Sequence, residues 1–152
     1  MPTFERSIVV RAPRAPLFDL MQDYERRLEW DPFLREARLV DAAASAVGVR
    51  AWCVDQDGRG METEYVSFDR PNRVAVRMTK GPWMFRKFAG AWIYEEIDAT
   101  TTRVVFKYHV EAIVRFGRIG DAVLTRIFAK EMRYRLEALR HAVEDRGVLS
   151  TG

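Results

Sequence analysis

Apolar and polar residues alternate with a period of two through much of the chain, and the period lengthens to that of a helix from about residue 116. Residues 4–11 read as a first strand with β-branched residues at its centre. Pro13 and Pro16 break it, and either proline can open a helix. Leu17, Phe18, Leu20, Met21 and Tyr24 follow at helical spacing, and a second short helix is predicted over 25–29. Trp30-Asp31-Pro32-Phe33 ends it, because a residue before proline is pushed out of the helical region. Strands are then predicted over 34–41, 48–55, 61–68, 73–79, 87–97 and 103–112. Gln56-Asp57-Gly58 and Asp69-Arg70-Pro71-Asn72 carry turn chemistry. Strands in sequence with such short links imply an antiparallel meander.

From residue 116 to 143, Ile119, Val123, Ile127, Phe128, Met132, Leu136, Leu139 and Val143 form one helical face. Charged residues fall between them, among them Arg126, Lys130, Glu131, Arg133 and Arg135. This predicts an amphipathic helix of about seven turns. A sheet with one apolar face and a helix with one apolar stripe must cover each other. The expected fold is α+β: a curved antiparallel sheet of six to seven strands around a long C-terminal helix, with two short helices after strand 1. A pocket between sheet and helix follows naturally from that curvature. One domain over residues 1–152, with its core at about 4–143, is expected from the length.

Strand parity predicts the pocket wall. Val74, Val76 and Met78 share one face, as do Trp92 and Tyr94, and Val104, Phe106 and Tyr108. Ile127, Phe128 and Met132 face them from the helix. Residues 61–68 leave two parities open. One turns Val66, Phe68, Glu62 and Glu64 inward, and the other turns Thr63 and Tyr65 inward with Glu64 in water.

Composition narrows the function classes. The chain has 152 residues, is 48% hydrophobic and carries a net charge of +3, too little to argue for nucleic acid. No stretch approaches the roughly 18 apolar residues of a membrane span, and no signal peptide is evident, so a cytoplasmic location is expected. Cys53 is the single cysteine and sits in an apolar strand, which reads as a buried, inert thiol. Cys53, His109 and His141 lack the spacing of a metal site. No nucleophile elbow, phosphate loop or dinucleotide fingerprint is present. Neither a metal nor a cofactor is expected.

Several segments together resemble a known superfamily. They are Ser7–Arg11 with Ala12-Pro13, Leu17-Phe18, Asp23-Tyr24 and Trp30-Asp31-Pro32-Phe33. Phe68-Asp69-Arg70-Pro71 with Arg73-Val74, Gly81-Pro82 and Gly90-Ala91-Trp92-Ile93-Tyr94 continue the pattern. In this order they resemble the START-like, birch-pollen-allergen-like superfamily, nearest its polyketide cyclase/dehydrase or coenzyme-Q-binding branches. The resemblance implies a helix-grip fold with a cavity for an apolar small molecule such as a lipid, polyketide, quinone or aromatic compound. The protein would act as a carrier or sensor, or else as a cyclase/dehydrase-like enzyme.

The candidates for ligand contact are Val76, Met78, Trp92, Tyr94, Phe106 and Tyr108 on the sheet, with Phe116, Phe128 and Met132 on the helix side. Trp83 and Phe85 lie in a turn-like apolar segment, and Trp30 and Phe33 are placed as an opposite lip. Such exposed apolar loops suit a lid, a dimer contact or a membrane touch. Glu64, Tyr65, Tyr94 and Tyr108 are the acid–base candidates, with Arg50 and Arg77 behind them. The expected partner is an apolar small molecule, with no nucleic acid and no membrane-spanning segment. Peripheral membrane contact and a homodimer are left open, as is a third role as a protein interaction module with a filled core.

Overall fold

Short alternating segments with hairpin links can satisfy their backbone groups only by pairing with their neighbours. The structure, a computed structural model, describes residues 3–112 and 117–150. Its strands are β1 (Thr3–Val10), β2 (Leu34–Val40), β3 (Arg50–Asp55), β4 (Gly60–Asp69), β5 (Arg73–Lys80), β6 (Phe85–Asp98) and β7 (Thr101–Ala112). They form one seven-stranded sheet in the order β1-β7-β6-β5-β4-β3-β2, every pairing antiparallel. Two short helices, α1 (Arg14–Gln22) and α2 (Arg27–Trp30), follow β1, and the long helix α3 (Gly117–Glu144) ends the fold. This is the expected helix-grip architecture. Among the described residues no helix is long and apolar enough to cross a membrane.

Burial is graded along the concave face of the sheet. Val74 pairs with Trp92 and Trp92 with Phe106, and Tyr94 pairs with Val104. These side chains are buried, and α1 closes that end by setting Phe18 edge-on to Tyr94 and Phe68. At the other end Met61, Thr63, Met78, Phe85 and Phe88 are only half-buried. The concave face is therefore a funnel of burial, closed by α1 and α2 and only half-covered beside the β5–β6 turn.

Helix α3 seals only part of it. Phe128, Met132, Leu136, Leu139 and Val143 are buried against the sheet. Ile119, Val123 and Ile127 were expected on the same buried face but are 83%, 53% and 57% exposed. At about 100° per residue, the stripe they form drifts away from the face set by Phe128 and Met132. The N-terminal part of the helix thus stands over the open end of the funnel rather than in the core.

Strand β4 resolves the open parity by using both. Tyr65 pairs with Val76 and Ser67 with Ala75, so Val66 is an extra residue at a bulge. Tyr65 and Phe68 both turn inward, and Val66 is exposed. Glu64 lies beside Arg77 on the outer face, where Arg77 Nη2 donates to Glu64 Oε1 at 2.8 Å.

Candidate functional site

The row that crosses the middle of the concave face runs Tyr65, Val76, Gly90, Tyr108 and Phe4. Gly90 has no side chain, so a gap separates Val76 from Tyr108. A methyl group there would meet the Tyr108 ring at 3.6 Å. On the open side of this row, the Phe88 ring lies 4.8 Å from the Tyr108 ring and 6.0 Å from the Phe85 ring. Phe128 of α3 faces Tyr108 at 5.9 Å and Phe85 at 6.3 Å. Leu124, one helical turn before Phe128, is half-buried against the same cluster. The funnel is lined with aromatic faces down to the phenol of Tyr108.

A charged cluster lies behind that phenol. Asp31 at the end of α2 is fully buried and is gripped by two guanidinium groups. Arg135 donates to it from Nη2 at 2.7 Å and from Nε at 3.2 Å. Arg27 donates from Nε at 3.0 Å. Burial alone would raise the Asp31 carboxyl, but Arg135 and Arg27 together hold it below the ordinary carboxylate value. Arg135 also donates from Nη1 to the Tyr108 hydroxyl, and its guanidinium lies over the Phe33 and Phe106 rings at 5.0 and 5.3 Å. The Tyr108 hydroxyl in turn donates to Glu131 Oε1 at 3.2 Å. Glu131 is the least buried member of this chain, with its side chain 17% exposed. Burial raises its carboxyl above the usual range despite Arg135 at 3.5 Å. Burial likewise pushes the Tyr108 phenol well up, so it is held as a neutral donor.

The arrangement has clear chemical capacity. A carboxyl with a raised pKa, a phenol polarised by a guanidinium and a set of aromatic walls can orient an oxygen atom at one end of an apolar molecule. The buried cluster itself holds two positive charges against Asp31, so the space beside it carries a positive field when Glu131 is protonated.

The other expected residues are placed as follows. Tyr65 donates to Gln22 Oε1 at 2.7 Å, and Gln22 Nε2 donates to the Tyr94 hydroxyl at 2.8 Å. This buried chain pins α1 to the sheet and is separate from the Asp31 cluster. Trp92 and Phe106 are 3.7 Å apart between ring centroids, and Trp30 stands edge-on to Trp92 at 6.1 Å. All three are buried, so they pack on one another, and Trp30 is a core residue rather than a lip. Met132 is likewise fully buried, and Phe128 nearly so. Val76, Met78 and Phe85 stay half-buried along the funnel, while Trp83 is 75% exposed beyond its rim. Phe116 lies outside the described residues. Arg50 and Arg77 sit on the outer face beside Glu62 and Glu64 and do not enter the funnel. Cys53 is half-buried on the inner face, where burial raises its thiol pKa.

Two cavities lie elsewhere on the molecule. One of about 110 Å³ sits between β1 and α3 near Phe4, Thr125 and Met132. A shallow depression of about 600 Å³ lies between Glu5, Ile93 and Lys107.

Sequence reasoning missed Asp31, Arg27, Glu131 and Arg135 as site residues. A signal existed. Arg135 falls seven residues after Phe128 and three after Met132, which places it on the buried face of α3 rather than the solvated one.

Residues 1–144 match the family described as polyketide cyclase/dehydrase and lipid transport. The chain belongs to that family. A ligand-binding or cyclase role is consistent with this membership. No curated protein matches the sequence. Solved structures share its fold. The di-domain ARO/CYC BexL from the BE-7585A biosynthetic pathway is 20% identical with a TM-score of 0.77. The match covers 95% of this chain but 47% of BexL, so this family member spans about half of that protein. The Zhui aromatase/cyclase from Streptomyces sp. R1128 is 15% identical with a TM-score of 0.79, covering 95% of this chain and 94% of its own. A START superfamily protein from Mycobacterium smegmatis is 14% identical with a TM-score of 0.72, covering 95% of each chain. At these identities the likeness is one of fold.

Proposed function

We propose that this protein binds an apolar small molecule bearing an oxygen function, as a carrier or sensor. A lipid, polyketide, quinone or other aromatic compound fits this description. Its apolar body lies in the funnel between α3 and the concave face, and its oxygen end meets Glu131 and Tyr108. One observation carries the reading: the burial gradient along the concave face leads from half-buried Phe85 and Phe88 to a single polarised phenol and carboxyl. Aromatic walls supply most of the affinity by covering apolar surface, at about 25 cal/mol per Å². The polar pair supplies orientation.

The test is a fluorescence titration with a hydroxyquinone, a fatty acid and a hydrocarbon of similar size, together with native mass spectrometry of the purified protein. Tyr108→Phe should weaken the oxygenated ligands about tenfold, worth about 1.4 kcal/mol, and leave the hydrocarbon unchanged. Absence of saturable binding for all three would sink the reading. An equal loss for all three would remove Tyr108 from it.

The raised carboxyl of Glu131 favours one second reading, a cyclase/dehydrase-like enzyme. Protonated Glu131 would give a proton to a ligand oxygen and recover it in a later step, with the Tyr108 hydroxyl bonded to that oxygen. Turnover of an oxygenated ligand by the wild type, lost in Glu131→Gln while affinity is kept, would favour the enzyme, and saturable binding without turnover in the wild type favours the carrier.

A further inference from the structure

The open end of the funnel is bordered by two segments that meet in space. The β5–β6 turn reaches the end of β7 where Phe85 pairs with Ala112, and it reaches α3 through the Phe85–Phe128 contact. The two most exposed large apolar side chains among the described residues lie here, Ile119 at 83% and Trp83 at 75%. Val123 and Ile127 continue the exposed stripe along α3.

Charge gathers at the same end. Among the described side chains, residues 78–88, 111–112 and 117–130 hold six basic residues and one acidic residue, a net charge of +5. The whole chain carries +3, so the rest of it carries −2. Lys80, Lys87, Arg118, Arg126 and Lys130 are exposed, and Arg86 is 3.5 Å from Glu111.

We propose that this rim docks on the surface of an anionic lipid bilayer. Trp83 and the Ile119–Val123 stripe enter the headgroup region, the lysines and arginines meet the lipid phosphates and carboxylates, and the mouth of the funnel faces the membrane. An aliphatic stripe along a helix, an exposed tryptophan and flanking cations are what an interfacial site requires. Each basic residue near an anionic leaflet adds to the attraction. An acidic protein would also meet the cations. A tryptophan beside an aliphatic helix stripe, flanked by lysines and arginines, is what the interface between water and acyl chains selects.

The test is co-sedimentation with vesicles and needs no ligand in the funnel. Vesicles of phosphatidylcholine alone are compared with vesicles containing about one third phosphatidylserine, at low and at high salt. Binding to the anionic vesicles is expected at low salt, falling at least tenfold at high salt as the charges are screened. Trp83→Ser with Ile119→Ser should weaken it about tenfold, and Lys80→Glu with Lys87→Glu should abolish it. All four positions are exposed, and matching thermal melts confirm that the variants fold. In the wild type, lipids brominated near the headgroup should quench a fluorescence component that is missing in Trp83→Phe. Equal binding to neutral and anionic vesicles overturns the proposal, as does wild-type binding by both double variants. No sedimentation at low salt also overturns it.

Discussion

Arg135 joins three parts of the molecule through one side chain. It bonds Asp31 of α2 and Tyr108 of β7 from its place on α3. Removing it leaves Asp31 buried with Arg27 alone. Arg135→Met should therefore cost about 3–5 kcal/mol in urea unfolding, and adding Asp31→Asn should restore part of the loss. A cost under about 1 kcal/mol would mean that water reaches the cluster. The two carboxyls of the site act on stability in opposite directions with pH. Asp31 is lowered below its ordinary value near 3.8, so its contribution is complete above that value and is lost as pH falls through the folded value. Glu131 is raised above its ordinary value near 4.5, so its contribution is complete below that value and is lost as pH rises through the folded value. Stability measured from pH 4.5 upward should show that second decline in the wild type, and Glu131→Gln should abolish it.

Helix α3 behaves as two pieces of one element. Its C-terminal part buries Met132, Leu136 and Leu139, while its N-terminal part exposes Ile119, Val123 and Ile127. Leu139→Ala should cost about 2–5 kcal/mol, whereas Val123→Ala should cost about 0.5 kcal/mol or less. Backbone amides of 119–127 should exchange with solvent at least about tenfold faster than those of 132–143. Uniform protection along the helix would contradict the half-docked picture. The elements themselves were legible in the sequence, because alternation, paired prolines and a long helical stripe are local signals. The strands and all three helices lie within a few residues of their expected positions. What escaped was set by contacts between elements. The β4 bulge at Val66 is invisible to an alternating pattern, because it needs the register with β5. The buried face of Arg135 could be read from its spacing to Phe128 and Met132, but its partner Asp31 comes from far away in sequence. Tyr108 was readable as an inward tyrosine, but its guanidinium and carboxyl neighbours were not.

At the scale of the whole molecule, the funnel, the half-docked helix and the positive rim occupy one end, and the closed core occupies the other. A ligand of the proposed kind would enter without opening the core, since the residues that close it are packed by α1 and α2 at the far end. If the charge outside the rim lies away from it, the unequal division of charge would turn the molecule in a field before contact is made. A weak net charge spread evenly would give poor retention on a cation-exchange resin. This protein should be held longer than its +3 implies, rim against the resin. Neutralising Lys80 and Lys87 should shorten retention more than neutralising Arg73 and Arg140, although both pairs are exposed and remove the same charge.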